Sequence, residues 1–223
     1  MALRDLLKDI HNEAENTEFA TLLMSGNMSP ELYGLYLNQQ FHIYSALENR
    51  AYKFPFYLDS LRKMGRMMPL ETDRVGYVYP DKILPTTKKY MKYCGQLRED
   101  QVIAHLYVRH FGDMYGGNMI QKKIPKCNRP SEAMHTEGLY YLFEEKKENI
   151  SIMRNLLNDD MADECKIVFQ YAIDLFKELM DYDIPEAYIS SIGSPGVAGI
   201  KDGSQATAWF PLASNIIWTL QTF

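Results

Sequence analysis

Apolar positions along this chain recur at helical spacing almost throughout. Leu3, Leu6, Leu7 and Ile10 open an amphipathic run over residues 2–16, which Asn16 or Thr17 ends. Ser29-Pro30-Glu31 reads as an N-cap followed by proline at the first helical position. Leu32, Leu35, Tyr36, Phe41, Ile43 and Tyr44 then carry a long helix to about Tyr52. A shorter helix fits Phe56 to Met64, whereas Gly76, Pro80 and Pro85 make Gly65 to Pro85 read as a long loop. Helix resumes near Thr86, runs again from about Glu99 to Ile124 and reopens at Ser131-Glu132. A last amphipathic run spans Asp160 to Met180, through Ile167, Val168, Ala172, Phe176 and Leu179. No alternation of period two is long enough to argue for a sheet. The pattern predicts an all-α, single-domain helical bundle over residues 1–183. Residues 184–223, with Pro185, Gly193, Pro195, Gly196, Gly199 and Gly203, read as an irregular appendage.

Composition narrows the chemistry. A length of 223 residues suits one domain, and 46% hydrophobic residues suit a globular core. The formal net charge of −5 argues against a nucleic-acid partner, so any anionic ligand must be met by local cations. Cys94, Cys127 and Cys165 are odd in number and widely spaced. That pattern fits neither a zinc site nor a disulfide framework and favours a reduced compartment. The first helix carries Arg4, Asp5, Lys8 and Asp9, unlike a signal peptide. Ala206 to Phe223 is fairly apolar, but Pro211, Asn215 and Gln221 interrupt it, so no membrane span is expected. The expected setting is the cytoplasm.

Two segments carry candidate chemistry. His11 lies on the apolar stripe of the first helix, four residues after Leu7. Such a residue is either a buried core histidine or a metal ligand. Glu15, one turn on, supplies the carboxylate that a ligating imidazole needs for its second nitrogen. Arg4, two turns earlier, is either a solvated charge or the partner of an anionic ligand group. The second segment runs from Ala104 to Ile120 and places Gly112, Gly116 and Gly117 inside helical apolar spacing. Each glycine costs a helix interior roughly 0.8–1.0 kcal/mol against alanine. Either the helix kinks there, or its backbone approaches a flat ligand that any Cβ would block. Asp113 is either a helix-terminal carboxylate paired with Arg109 or a group that delivers protons through water.

Together these blocks resemble the heme oxygenase family, in the biliverdin-forming group. His11-Asn12-Glu13-Ala14-Glu15-Asn16 with Glu18-Phe19 is similar to the family's proximal helix. Tyr107-Val108-Arg109 through Gly112-Asp113 to Gly116-Gly117 and Lys123-Ile124 is similar to its distal helix. The resemblance runs from about Leu3 to about Asp183. It implies a fold in which heme, both cofactor and substrate, is sandwiched between these helices. It also implies conversion to biliverdin with release of carbon monoxide and ferrous iron, using O2. His11 becomes the iron ligand, Glu15 its partner, and Gly112 and Gly116 the backbone pressed on the heme, with Gly117 beside them. Asp113 organises the catalytic water, and Arg109 belongs to the same network. Arg4, Tyr107 and Arg154 fall near the propionates.

Two positions depart from the family. Tyr115 stands where a small serine is usual, and is expected to point away from the pocket or to alter its hydrogen bonding. Ile150 stands where relatives often place a lysine for the propionates, a part Lys146 or Lys147 would then take. Electrons must come from a partner, and Lys88, Lys89, Lys92, Lys122, Lys123, Lys126 and Arg129 suit a soluble ferredoxin. A bilin reductase is the corresponding downstream partner. The alternatives are a non-catalytic heme carrier of the same fold and a helical di-iron protein. The latter has one Glu-x-x-His pair in its favour, Glu132-Ala133-Met134-His135, where two are usual.

Overall fold

The computed structural model describes residues 2–129 and 138–189. It is helical throughout, as expected. Helices α1 (Leu3–Glu15), α2 (Glu18–Ser25) and α3 (Pro30–Ala51) begin the chain, and a π-turn and a 3-10 turn (Tyr57–Leu61, Arg62–Met64) follow. Then come α4 (Met67–Arg74), α5 (Pro85–Cys94) and α6 (Glu99–Leu106). A π-turn at Tyr107–Phe111 leads directly into α7 (Gly112–Gln121). After the 3-10 turn Leu139–Tyr141, α8 (Lys146–Leu156), α9 (Ala162–Met180) and the short α10 (Glu186–Ile189) complete the described chain.

Local sequence explains most of these boundaries. Ser29 accepts a hydrogen bond from the Leu32 amide (3.2 Å), with Pro30 in the first turn, so α3 starts where its cap dictates. Helix α2 is a separate element capped by Thr17, which accepts from the Ala20 amide, and closed by Gly26 at φ 77°. Residues Tyr33 to Gln40 are all buried, which makes α3 the central helix, packed by α4, α5 and α6. Its buried amide of Gln39 is satisfied by the 82–84 segment, donating to the Lys82 carbonyl (2.7 Å) and accepting from the Leu84 amide (2.9 Å). Helix α9 packs on α1, α2, α5 and α6 and so connects the two ends of the bundle.

The loop expected over 65–85 is in part a helix. Helix α4 escaped the sequence pattern because its cap is not local: the Glu48 carboxylate, from α3, accepts from the amides of Arg66 (2.5 Å) and Met67 (3.3 Å). Pro69 is tolerated because it sits in the first turn. Nor do the glycines of the distal segment end a helix. The chain stays helical from Glu99 to Gln121, and the irregularity is the π-turn just before Gly112. The Glu132–His135 pair, the helix expected from Ser131 and the tail beyond 189 lie outside the described residues.

Candidate functional site

A cavity of about 390 Å³ opens between α1, α2, α3, the 107–121 helix and α9. That size is typical of small-molecule sites, roughly 300–1,000 Å³. Its walls bring together His11 and Glu15 from α1 with Tyr107, Arg109, Gly112, Asp113 and Gly116 from the distal segment. The walls contributed by Leu23, Val168, Phe169, Ala172 and Phe176 are apolar. Two sequence blocks about a hundred residues apart thus converge on one space.

His11 is buried, and its ring meets Phe169 edge-on (centroids 5.6 Å, 78°), which restricts its rotation. Its Nδ1 lies 3.5 Å from a Glu15 carboxylate oxygen. Burial, and then the Arg4 charge, lower the His11 pKa, while burial raises that of Glu15. The contact is therefore a neutral imidazole held beside a carboxylate rather than an ion pair. A neutral ring oriented in this way is the form that ligates a metal.

The glycines divide by what a side chain would meet. Among the described residues, a Cβ built on Gly112 touches nothing within 4 Å, and one on Gly116 meets only the Ile120 Cδ1, at 3.9 Å. Both residues line the cavity, so their missing side chains leave it open. Gly117 is different. Its Cβ would fall 2.9 Å from Tyr141 Cβ, so Gly117 seats the 139–141 turn on α7 and lies outside the cavity wall. Of the two expectations for Tyr115, pointing away is not what the structure has: Tyr115 lines the cavity, near the Phe111 ring (6.3 Å).

Asp113 lines the cavity with its carboxylate anchored from behind. Tyr44 and Tyr140 both donate to its Oδ2. Burial raises its pKa, and those two hydrogen bonds and the Arg109 charge oppose the rise. Arg109 is itself buried, its guanidinium 4.9 Å from the Tyr90 ring centroid, and its Nε and Nη2 have no hydrogen-bond partner among the described residues. Tyr44 and Tyr140 were invisible as site residues, because nothing local separates them from the other tyrosines among the sixteen in the chain. Arg4 and Arg154 are exposed and stand outside the lining. Arg4 nevertheless acts electrostatically on His11 and Tyr107, and Arg154 on Tyr115. Lys146 reaches α7, its Nζ 3.4 Å from the Met114 carbonyl.

The family model described as heme oxygenase matches residues 1–178. The chain belongs to the heme oxygenase family. It is 29% identical to heme oxygenase 1 of Bos taurus, over 80% of this chain and 70% of that protein. It is 26% identical to heme oxygenase 1 of Homo sapiens, over 81% and 71%. Among solved structures it is similar to heme oxygenase-2 of Synechocystis, solved in complex with heme and NO (TM-score 0.69, 22% identity). That match covers 80% of this chain and 84% of that one. The heme oxygenase of Leptospira interrogans gives a TM-score of 0.64 at 22% identity, covering 79% and 97%. Family and fold thus agree with the sequence reading of an all-helical heme-degrading enzyme. Among the described residues there is no cluster of three or more His, Cys, Asp or Glu side chains able to hold a metal. No described helix is long and apolar enough to cross a membrane.

Proposed function

We propose that the cavity binds heme and that His11, Gly112, Gly116 and Asp113 are the residues through which this chain, as a heme oxygenase, cleaves it to biliverdin, carbon monoxide and ferrous iron. One observation carries the reading. A neutral, oriented histidine and two glycines whose side-chain positions are open line the same apolar space. The residues fit the group. A flat macrocycle needs walls without Cβ atoms, an imidazole for its metal and apolar surroundings for its faces. Heme bound there supplies both the iron at which O2 is activated and the ring that is opened.

The protein's share is orientation, exclusion of water and control of protons. His11 lines the cavity, and a Glu15 carboxylate oxygen stands 3.5 Å from its Nδ1. Gly112 and Gly116 let the helix backbone come close to the ligand. The π-turn at Tyr107–Phe111 brings Arg109 and Asp113 to the cavity together. Asp113 holds water at the cavity wall and passes protons through it, a milder delivery than direct contact by a side-chain acid. The buried Nε and Nη2 donors of Arg109, without a partner among the described residues, favour a carboxylate or water in that network. Tyr107, Arg4 and Arg154 would be the residues to meet the heme propionates, with Lys146 the candidate for the lysine that Ile150 replaces.

The electron donor in this reading is a soluble ferredoxin, and a bilin reductase consumes the product. The exposed cations Lys88, Lys89 and Lys92 on α5, with Lys122, Lys123, Lys126 and Arg129 after α7, support a donor of opposite charge. Reduction by ferredoxin then slows steeply as salt rises. The function itself is tested by adding reductant and O2 to the heme complex. The Soret band should decay as a bilin band grows and carbon monoxide is released. Heme binding without a bilin would make the chain a carrier, and absence of heme binding would overturn both readings.

A further inference from the structure

The carboxylate of Asp113 is held in an asymmetric way that its sequence neighbourhood does not reveal. The Tyr44 hydroxyl reaches Oδ2 from α3, and the Tyr140 hydroxyl reaches the same oxygen at 2.5 Å from the 139–141 turn. Oδ1 is left with no protein donor among the described hydrogen bonds, and Asp113 lines the cavity. Two donors on one oxygen fix the rotation of a carboxylate and leave the other oxygen for water.

Tyr140 is placed for this task by an assembly of its own. Asp73, on α4, accepts the backbone amides of Leu139 (3.0 Å) and Tyr140 (2.7 Å). Arg66 donates to the carbonyls of Tyr140 (3.2 Å) and Leu142 (2.6 Å), with its guanidinium over the Phe143 ring at 3.9 Å. Gly117 clears the space in which Tyr141 lies against α7. The Tyr44 and Tyr140 rings meet edge-on at 5.8 Å, and His110 packs against Tyr44 from the other helix at 4.9 Å. The turn is thus tied to α4 by the hydrogen bonds of Asp73 and Arg66 and seated on the distal helix at Gly117, and from it Tyr140 reaches Asp113.

We infer that Tyr140 is a positioning residue for the reaction: with Tyr44 it clamps Oδ2 of Asp113 and so directs Oδ1 at the water that carries protons into the cavity. The inference rests on the proton-delivering role proposed above for Asp113. Its chemistry is that of two phenol O–H groups donating to a carboxylate, each favouring the charged form. The other groups acting on Asp113 include the Arg109, His110 and Arg66 side chains and the Tyr36 and Tyr141 phenols, all of which Tyr140→Phe leaves in place.

The test uses the full chain without heme, its aspartates labelled with 13C at the carboxyl, and follows Asp113 by NMR through a pH titration. Tyr140→Phe keeps the ring and removes the donor. The affinity of Asp113 for its proton should rise roughly tenfold or more, the effect of losing one charge-assisted hydrogen bond. Tyr44→Phe should act in the same direction, and the double variant more strongly than either. Incorporating 3-fluorotyrosine at position 140 makes the hydroxyl a better donor and should lower the proton affinity. If Tyr140→Phe melts and binds heme differently but leaves the Asp113 titration unmoved, Tyr140 is only a packing residue and the inference is overturned. With heme, reductant and O2, the same variant should lose bilin yield. A shifted titration with full bilin yield would leave the clamp standing and refute the role of Asp113 in proton delivery.

Discussion

Gly112→Ala separates the needs of the fold from those of the ligand, because the structure gives them opposite signs. Gly112 has helical torsions (φ −54°, ψ −51°) and a Cβ there meets no atom within 4 Å. In the protein without heme the substitution should therefore recover the helix penalty of glycine, about 0.8–1.0 kcal/mol. For a chain of this size that raises the melting temperature by about 2–4 °C. The same methyl projects from the cavity wall, so heme binding must absorb an overpacking cost of about 1–3 kcal/mol. That corresponds to roughly a five- to 150-fold loss of affinity. Gly117→Ala provides the contrast: its Cβ would stand 2.9 Å from Tyr141 Cβ and 3.3 Å from Tyr141 Cα, so the heme-free protein should melt lower than wild type. The assays are thermal melts of the heme-free proteins and heme titrations followed at the Soret band. A lowered melting temperature for Gly112→Ala, or an unchanged heme affinity, would refute the assignment of Gly112 to the ligand wall.

Three further outcomes follow from the buried polar groups. Asp73→Asn leaves one of the Leu139 and Tyr140 amides without its acceptor and should destabilise the fold by about 1–3 kcal/mol in denaturant titrations. Burial raises Asp73 from 3.8 to about 6, so the folded state binds its proton more tightly; the Asp73 contribution to stability should fall as pH rises through that window, and Asp73→Asn should lack this slope. Burial alone would raise Glu164, yet hydrogen bonds from His105 (2.9 Å), Gln101 (2.8 Å) and Tyr93 (2.8 Å) hold it at about 2. Its contribution is then complete above 4.5 and lost as pH falls toward 2, so Glu164→Gln should be less stable at neutral pH and should flatten acid unfolding.

The parts of the fold that were legible in the sequence are those whose causes are local. Ser29-Pro30 sets the start of α3, and the apolar period of 162–180 sets the buried face of α9. Helix α4 was missed because its capping carboxylate, Glu48, belongs to a helix that ends sixteen residues before it begins. The site divides in the same way. His11, Glu15 and the glycines stood out by spacing within one helix each, and Gly112 and Asp113 line the cavity. Gly117 stood out for the same compositional reason but serves the Tyr141 contact, since composition does not report which way a missing side chain would point. For Tyr115, standing where a serine is usual, the sequence leaves open an outward side chain or altered hydrogen bonding in the pocket, and the residue lines the cavity beside Phe111. Tyr44 and Tyr140 meet Asp113 across 69 and 27 residues of sequence, and no periodicity encodes such meetings.

The central claim is that His11 holds the iron of heme in this cavity, and resonance Raman spectroscopy of the ferrous heme complex tests it most directly. The wild-type complex should show an iron–histidine stretching mode that disappears in His11→Ala and returns when imidazole is added. An iron–histidine mode that persists in His11→Ala without added imidazole would assign the ligand to another residue and contradict the account.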